Sequence, residues 1–564
     1  MTTHYPGPLE LLADHLRRHP DQFCLHQPVN RVWRSYTWRE VDDQARQIAA
    51  GLQAQGYAPG DRIAILAKNC AEWFIVDLAI IMAGMVSVPI YTTAAAGTIR
   101  YVMEHSESKA VFLGKLDDIG PAEEGIPDGV LRIAMPYPTA AAGQHWNDWL
   151  QRHAPLATLA EPEPEALLTL VYTSGSTGTP KGVVVTHRNM AASAFHTRLR
   201  ADPRPGDRVI SYLPLAHIAE RAVVEHTSFG QDIEVFFVES LETFADDLRH
   251  VRPAAFVSVP RLWTRFQAQV LSKMPDQRLQ FLLRLPVVGS IVAARIRRAM
   301  GLDRARLFGS GTAPIAPALL EWYHRVGISI SEGWGMTETT GLSCSNQPYR
   351  RDWTGTIGHP LGCVEMKLSE EGEILIRGDS VFGEYYKAPE ITAAAFVDGW
   401  FRTGDLGEQR PDGGWRIIGR VKEQFKTGKG KYVSPVPIES ELAACTLIEQ
   451  VCVMGSGRKQ PLALVVLAPG QGGRAAVETA LLSLRERVNG VLESHERLDC
   501  ILVCSEPWTI ENGMLTPTMK LKRDRIEAAY AARVEALANP APVVWLTAWK
   551  GAMPPTGSVP LNAC

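Results

Sequence analysis

A run of small, polar and glycine residues between positions 173 and 182 is suited to hold phosphate. It reads Thr173-Ser174-Gly175-Ser176-Thr177-Gly178-Thr179-Pro180-Lys181-Gly182 and follows an apolar stretch at 167–172. The glycines let the backbone approach a ligand, hydroxyls and N–H groups can bond phosphate oxygens, and Lys181 adds positive charge. No Gly-Lys pair in the chain is followed by Ser or Thr, so this is not a Walker A loop. A plain surface loop is the alternative, and the position between a buried strand and an expected helix argues against it.

Five segments, in the same order, resemble motifs of the adenylate-forming superfamily, which comprises acyl-CoA synthetases, luciferases and the adenylation domains of peptide synthetases. They are the loop above, Ser310-Gly311-Thr312-Ala313-Pro314 (commonly SGGAP), Gly333-Trp334-Gly335-Met336-Thr337-Glu338 (YGxTE, with Trp for Tyr), Arg402-Thr403-Gly404-Asp405 (RTGD) and the hinge motif Gly419-Arg420-Val421-Lys422-Glu423. Five motifs in register are far more specific than any one of them. The resemblance covers the chain up to about residue 530.

The resemblance implies an ATP site and a magnesium site. The implied ATP-binding residues are Thr173, Ser174, Gly175, Ser176, Thr177, Gly178, Lys181, Gly311, Thr312, Ala313, Glu332, Gly333, Trp334, Gly335, Met336, Asp405 and Arg420. Glu338 and Thr173 are the expected Mg²⁺ ligands, because carboxylate and hydroxyl oxygens suit this ion. Thr337 is expected to donate a hydrogen bond to the α-phosphate.

Two of these residues have chemistry that suits a nucleoside, and each has an ordinary alternative. Asp405 is expected in a Gly-flanked turn, where it can accept hydrogen bonds from ribose hydroxyls or act only as a turn residue. Trp334 between two glycines offers a flat face for adenine, or else packs in the core.

Lys520 is the candidate catalytic lysine. It lies in Leu515-Thr516-Pro517-Thr518-Met519-Lys520-Leu521-Lys522-Arg523, which resembles the family's C-terminal lysine motif with Met519 in place of Gly. Lys522 and Arg523 have the character of a solvated basic face. Since attack of a carboxylate on the α-phosphate of ATP needs charge neutralisation and positioning, Lys520 and Mg²⁺ are expected to provide both.

The family is thought to use one site for two reactions by rotating its small C-terminal domain. Lys422 occupies the hinge position, where one residue can absorb the backbone change. After rotation, a C-terminal surface would help to bind CoA. The basic stretch at 426–432 is either a contributor to CoA binding or a solvated charged loop.

Three segments favour a long-chain fatty acid as the substrate. They resemble segments of long-chain acyl-CoA synthetases: residues 212–221 (YLPLAHIAER), 259–263 (VPRLW) and 431–439 (KYVSPVPIE). His217 could lie near the reacting carboxylate, or be a core histidine bonded to a backbone carbonyl. Glu220 and Arg221 could form a structural ion pair.

Short apolar stretches alternate with helical ones over the first 360 residues, which predicts α/β layers with parallel sheets. The pattern predicts an N-terminal domain over 1–420 with a β-rich subdomain at about 358–420, an α+β C-terminal domain over 421–538, and a poorly ordered Pro- and Gly-rich tail over 539–564. The resemblance implies that the C-terminal domain is mobile. Residues 73–91 approach the length of a membrane span, but Asp77 interrupts them, so a buried helix followed by a strand is predicted.

Composition agrees with an enzyme of the cytosol. The chain has 564 residues and a formal charge of −3, with no general basic character that would favour nucleic acid. Nine scattered cysteines without a CxxC pair indicate reduced thiols. No secretory signal and no amphipathic basic helix stand out, so we expect a cytoplasmic protein. Peripheral contact with the inner face of the membrane is an alternative that the sequence leaves open.

The sequence therefore predicts an ATP- and Mg²⁺-dependent ligase that converts a fatty acid to acyl-AMP and pyrophosphate, then to acyl-CoA and AMP. One alternative is an adenylating ligase that acts on another acid or delivers the acyl group to a carrier protein. A non-catalytic binding relative is the third hypothesis, and the presence of Lys520, Glu338 and Asp405 argues against it.

Overall fold

The computed structural model describes residues 3–138, 143–174, 179–468, 473–510, 512–516, 520–537 and 540–546. It confirms the predicted α/β class, with a large N-terminal domain and a smaller C-terminal one. Its longer helices are Pro8–Arg18, Trp38–Ala54, Ala71–Met82, Ala96–Ser106, His187–Ala201, Phe244–Val251, Pro260–Lys273, Asp276–Arg284, Val288–Ala299, Pro317–Arg325, Pro435–Ala443, Arg474–Val491 and Arg523–Glu535. Shorter ones are Gly120–Gly125, Trp146–Arg152, Ile218–Glu220, His226–Ser228, Pro389–Ala395, a π-helix at Arg221–Glu225 and a 3-10 turn at Arg351–Trp353.

The first large sheet has nine strands among the described residues. In spatial order they are His359–Pro360, Gly341–Ser345, Ile330–Met336, Leu307–Ser310, Ala255–Ser258, Arg208–Ser211, Glu234–Phe237, Phe23–Val29 and Val32–Thr37. The strands from Ile330–Met336 to Phe23–Val29 pair in parallel, and antiparallel neighbours close both edges. Their apolar residues pack against helices, as parallel sheets require.

The second large sheet has seven strands. In spatial order they are Gln144–His145, Leu131–Ala134, Ala110–Gly114, Arg62–Ala67, Val86–Pro89, Leu167–Ser174 and Pro180–Thr186. All neighbours are parallel except the last two, which form an antiparallel hairpin. The expectation that the glycine-rich loop leads from a strand into a helix is wrong, because the loop joins these two strands. The following helix begins at His187, where Thr186 and Asn189 form a capping box.

The apolar run at 73–91 is a buried helix and strand, as predicted. Every residue of the helix Ala71–Met82 is buried, and Val86–Pro89 follows as a central strand. In the described part of the chain, no helix combines the length and apolar character needed to cross a bilayer.

A smaller antiparallel sheet carries the RTGD segment. Its strands are Val364–Leu368, Glu373–Gly378, Phe396–Val397, Trp400–Gln409 and Trp415–Arg420. The expectation that Asp405 lies in a turn is wrong, because Asp405 lies inside the strand Trp400–Gln409, directly opposite Arg420 on the next strand. Its position is thus held by a strand pair, a more rigid support than a turn.

The C-terminal part contains a four-stranded sheet. Its strands are Ile448–Met454, Leu462–Leu467, Ile501–Cys504 and Val543–Trp545, and a two-stranded ribbon of Phe425–Lys426 and Tyr432–Val433 precedes it. Contrary to the expectation of a poorly ordered tail from residue 539, Val543–Trp545 pairs in parallel with Ile501–Cys504. Residues 547–564 lie outside the described residues. All eight described cysteines are free thiols, which agrees with the prediction.

Candidate active site

A cleft of about 3810 Å³ lies where the two large sheets present the carboxyl ends of their parallel strands. Tyr212, Val259 and Gly311 follow three neighbouring strands of the nine-stranded sheet and line it, as does Thr173 from the other sheet. Ligands of α/β proteins bind at this edge because successive loops converge there. The volume exceeds that of a typical small-molecule pocket, so the cleft has room for several substrates together.

The structure brings the predicted site residues together in this cleft. The predicted residues that line it are Thr173, Lys181, His217, Gly311, Thr312, Ala313, Glu332, Gly333, Trp334, Gly335, Met336, Thr337, Glu338, Asp405, Arg420, Lys422 and Lys520. Gly175, Ser176, Thr177 and Gly178 lie outside the described residues, and nothing is described of the side chain of Ser174. The basic stretch at 426–432 does not line the cleft.

Asp405 links the nucleoside side of the cleft to the hinge motif. Trp334 Nε1 donates a hydrogen bond of 2.9 Å to Asp405 Oδ2, and Arg420 Nε lies 2.7 Å from Oδ1. Asp405 is buried, so both partners offset the cost of removing its charge from water. A carboxylate offers about four lone-pair positions, which leaves acceptor capacity for a ligand.

Gly335 shows that the glycines around Trp334 serve packing. A Cβ atom on Gly335 would lie 1.6 Å from the carbonyl oxygen of Gly341 on the paired strand. No side chain fits there, so this glycine permits the close strand pairing that presents Trp334 to the cleft.

Glu338 has a partner that the sequence did not indicate. Tyr385 donates a hydrogen bond of 2.9 Å from its hydroxyl to Glu338 Oε1, and Lys181 Nζ lies 5.3 Å from the centre of the same tyrosine ring. Oε2 of Glu338 accepts no hydrogen bond from the described residues. The fixed carboxylate therefore keeps one oxygen for a ligand in the cleft.

Lys520 lines the cleft, where its ammonium group faces charged side chains while part of the residue remains exposed to solvent. Removal from bulk water and the neighbouring Arg420 lower the pKa of its ammonium group, while Asp405, Glu338 and Glu423 act in the opposite direction. An ammonium among these groups is suited to stabilise negative charge that develops beside them.

His217 is held as a neutral imidazole. Its Nδ1 accepts a hydrogen bond of 3.1 Å from the backbone N–H of Ala219, so the proton resides on Nε2. Burial and the positive charge of Lys520 lower the pKa of His217 to about 4. His217 lines the cleft, and among the described residues its ring bonds a backbone N–H and no carbonyl oxygen, which differs from the alternative of a core histidine.

Glu220 and Arg221 do not form the ion pair that the sequence left open; each has other partners. Glu220 accepts hydrogen bonds from Ser211 Oγ and the N–H of Tyr212, and burial raises its pKa to about 8. Arg221 is fully buried and bonds Asp77 at 2.6 Å and Glu225 at 3.3 Å. The segment after His217 is thus anchored at two points in the core.

The adenine-side loop contains a strained residue. Thr312 has φ +67°, a left-handed conformation that favours glycine, and it stands where the resembling motif has Gly.

Glu332, on the neighbouring strand, has a buried carboxyl group. It accepts a hydrogen bond of 2.7 Å from the N–H of Gly355, and burial raises its pKa to about 8. Burial therefore favours the protonated form of Glu332.

Comparison with known proteins gives a consistent result over most of the chain. Residues 12–386 match the family model described as AMP-binding enzyme, and residues 423–540 match the one described as AMP-binding enzyme C-terminal domain. Long-chain-fatty-acid–CoA ligase FadD15 of Mycobacterium bovis is 31% identical, covering 94% of this chain and 96% of its own. Long-chain-fatty-acid–CoA ligase 1 of Homo sapiens is 30% identical, covering 90% and 82%.

Solved structures share the fold. The anthranilate CoA ligase AuaEII, in complex with anthranoyl-AMP, superposes with a TM-score of 0.79 at 20% identity, over 95% of this chain and 99% of its own. The adenylation domain of a carboxylate reductase from Mycobacterium chelonae gives 0.78 at 24% identity, over 94% and 91%.

Proposed function

This chain belongs to the AMP-binding enzyme family, and we propose that it is an AMP-forming long-chain fatty acid–CoA ligase. One observation carries the proposal: Lys520, His217, Glu338 and Asp405, spread over some 300 residues of sequence, all line one cleft together with Thr173 and Lys181. The names of the relatives at about 30% identity support a long-chain fatty acid as the acid.

In the first half-reaction a carboxylate oxygen of the acid attacks the α-phosphorus of ATP. The bond between the α-phosphorus and the bridging oxygen breaks, and pyrophosphate leaves with that oxygen. The chain supplies positioning and charge: Thr337 and the neutral Nε2–H of His217 donate hydrogen bonds near the reacting oxygens, and Lys520 neutralises the charge on phosphate. The depressed pKa of His217 means that it acts as a hydrogen-bond donor and not as a cation.

Asp405 and Trp334 hold the nucleoside. Trp334 Nε1 and Arg420 orient the Asp405 carboxylate, so that its remaining lone pairs accept ribose hydroxyls. The indole ring, fixed by the same hydrogen bond, provides the flat surface for adenine.

Glu338 is the residue best suited to hold Mg²⁺. Its Oε2, which accepts no hydrogen bond from the described residues, and the hydroxyl of Thr173 are hard oxygen donors in the cleft, and Tyr385 fixes the orientation of the carboxylate. When bound, the ion would neutralise charge on the phosphates.

In the second half-reaction the CoA thiol sulfur attacks the acyl carbon, the bond to the phosphate oxygen breaks, and AMP leaves with that oxygen; the thiol proton passes to solvent. We assign the hinge to Lys422, which follows the strand Trp415–Arg420 and precedes the C-terminal sheet. Rotation there would remove Lys520 from the cleft and admit CoA.

The test is pyrophosphate release over a panel of carboxylic acids from acetate to long-chain acids, followed by a comparison of CoA with a holo-carrier protein as acceptor. We expect the highest kcat/KM with a long-chain acid, and acyl-CoA as the product. Release with short or aryl acids only would reject the substrate class. Acyl transfer to the carrier protein but not to CoA would favour the alternative acceptor. If no acid led to release of pyrophosphate, the proposed enzymatic activity would be rejected.

A further inference from the structure

Two consecutive helices, Asp276–Arg284 and Val288–Ala299, form a hairpin with an apolar outer face. Leu279 and Ala293 turn inwards and join the core. The outer face exposes Phe281, Leu285, Val287, Val288 and Ile291, which we call the hairpin patch. Exposed apolar side chains clustered on one element, rather than scattered singly, indicate an interaction surface.

Basic residues surround the hairpin patch. Between positions 273 and 300 the chain has six basic residues and one acid, whereas the whole chain has a net charge of −3. The acid, Asp276, already accepts hydrogen bonds from Trp322 and Gln280. Arg278, Arg284 and Arg295 are exposed and take part in no ion pair among the described residues. The patch is therefore apolar at its centre and positive at its rim.

The turn of the hairpin projects an apolar side chain outwards. The N–H of Val288 bonds the carbonyl oxygen of Pro286 across Val287, whose φ is +58° and ψ −58°. This is a γ-turn of the rare strained type, and a β-branched residue seldom adopts it. Val287 is nevertheless 72% exposed. No contact within the described chain accounts for a valine there.

The patch adjoins the cleft. The preceding helix, Pro260–Lys273, lines the cleft through Leu262, Phe266, Leu271 and Ser272. Only Met274 and Pro275 separate its end from the helix Asp276–Arg284. The apolar wall of the cleft thus ends beside the apolar outer face of the hairpin.

We infer that the hairpin patch docks on an anionic lipid bilayer. Phe281, Val287 and Ile291 enter the boundary between headgroups and acyl chains, and the arginines of the rim contact anionic headgroups. Docking would place the cleft beside the membrane in which a long-chain acid dissolves; that consequence rests on the proposed function, whereas the docking itself does not.

A bilayer fits this surface better than a second copy of the chain. In a symmetric dimer the same patch would face itself, which would bring the rim arginines of both copies together. Like charges that approach in this way repel, and the patch has only Asp276 to compensate them. An anionic membrane instead neutralises every rim arginine.

The experiment is flotation of the full chain, without ATP, acid or CoA, with vesicles of phosphatidylcholine or of phosphatidylcholine and phosphatidylglycerol. Arg284→Glu combined with Arg295→Glu should weaken binding to the anionic vesicles by about tenfold or more. Val287→Asp should weaken it as well, because it places a negative charge at the centre of the patch. The matched control is Val32→Asp, because Val32 is 71% exposed and lies elsewhere on the same domain.

Equal binding by the patch variants and the control would overturn the inference. So would loss of self-association, measured by sedimentation, in place of loss of vesicle binding. Pyrophosphate release in the absence of vesicles separates this inference from the proposed function: a chain that binds vesicles through the patch but never releases pyrophosphate would reject only the latter.

Discussion

Arg261 and Glu449 form an ion pair between the two domains, with Nη2 3.0 Å from Oε1. Arg261 lies in the first turn of the helix Pro260–Lys273, and Glu449 lies in the strand Ile448–Met454. The same domain arrangement places Lys520 in the cleft. The pair therefore stabilises the arrangement that we assign to adenylate formation.

We expect Glu449→Arg to slow adenylate formation about two- to fivefold, because the pair is partly exposed and contributes modestly. Single-turnover pyrophosphate release measures this step. Addition of Arg261→Glu should restore the rate, since the pair is re-formed with reversed charges. A double variant slower than either single variant would contradict the role of the pair.

Lys520→Ala should slow acyl-AMP formation about 100- to 1000-fold, the effect of removing one group that stabilises transition-state charge. The thioester half-reaction, started from preformed acyl-AMP and CoA, should keep near-normal rates. Lys522→Ala is the matched control and should retain both. If Lys520→Ala made adenylate at the normal rate, the assignment of the lysine would be wrong.

The depressed pKa of His217 should lower the free energy of unfolding as the pH falls from 6.5 to 4. Its folded-state pKa of about 4 lies below the ordinary value of 6.5, so in this window the unfolded chain binds more protons than the folded one. Urea unfolding at several pH values measures the slope. His217→Gln should show a smaller loss of stability over this window, and an unchanged slope would refute the depressed pKa.

Asp77→Ala should destabilise the protein by about 3–5 kcal/mol, because it leaves the buried Arg221 without a main partner. Burial alone would raise the pKa of Asp77. The positive charge of Arg221, together with interactions with His226 and Ser87, outweighs the effect of burial and lowers the pKa to about 2. The stability that Asp77 contributes is thus present above pH 3.8 and is lost as the pH falls towards 2.

Thermal and urea unfolding measure the effect of Asp77→Ala. Asp14→Ala is the control, because Asp14 pairs with Arg18 on the surface and its loss should change little. Equal effects of the two substitutions would show that the buried network is not important for stability.

Thr312→Gly should stabilise the protein by up to about 1 kcal/mol, since glycine relieves the left-handed strain but is more flexible when unfolded. The midpoint of urea unfolding measures this change. Thr312→Ala is the comparison, because alanine shares the strain and should give no gain. Destabilisation by glycine would indicate that the threonine side chain makes a contact that outweighs the strain.

Much of the architecture could be predicted from local pattern. Alternating apolar and helical stretches indicated the parallel sheets, and Asp77 within residues 73–91 indicated a buried helix. The errors have physical causes. The neighbouring Gly404 favours a turn at Asp405, yet strand pairing with Arg420 overrides that signal. Val543–Trp545 looked like a loose tail because its few apolar residues find a partner only when the C-terminal sheet forms.

The order of residues along the chain specifies which groups are available for chemistry: a loop suited to phosphate, the acids Glu338 and Asp405, and Lys520. Which of these groups meet follows from the folding of the chain in three dimensions. Tyr385 reaches Glu338, Trp334 reaches Asp405 and Arg261 reaches Glu449 across long stretches of chain, and spacing carries no signal of such contacts. Composition also could not show that Phe281 and Val287 are exposed. The type of an apolar residue does not indicate whether the folded chain buries its side chain or leaves it in contact with water.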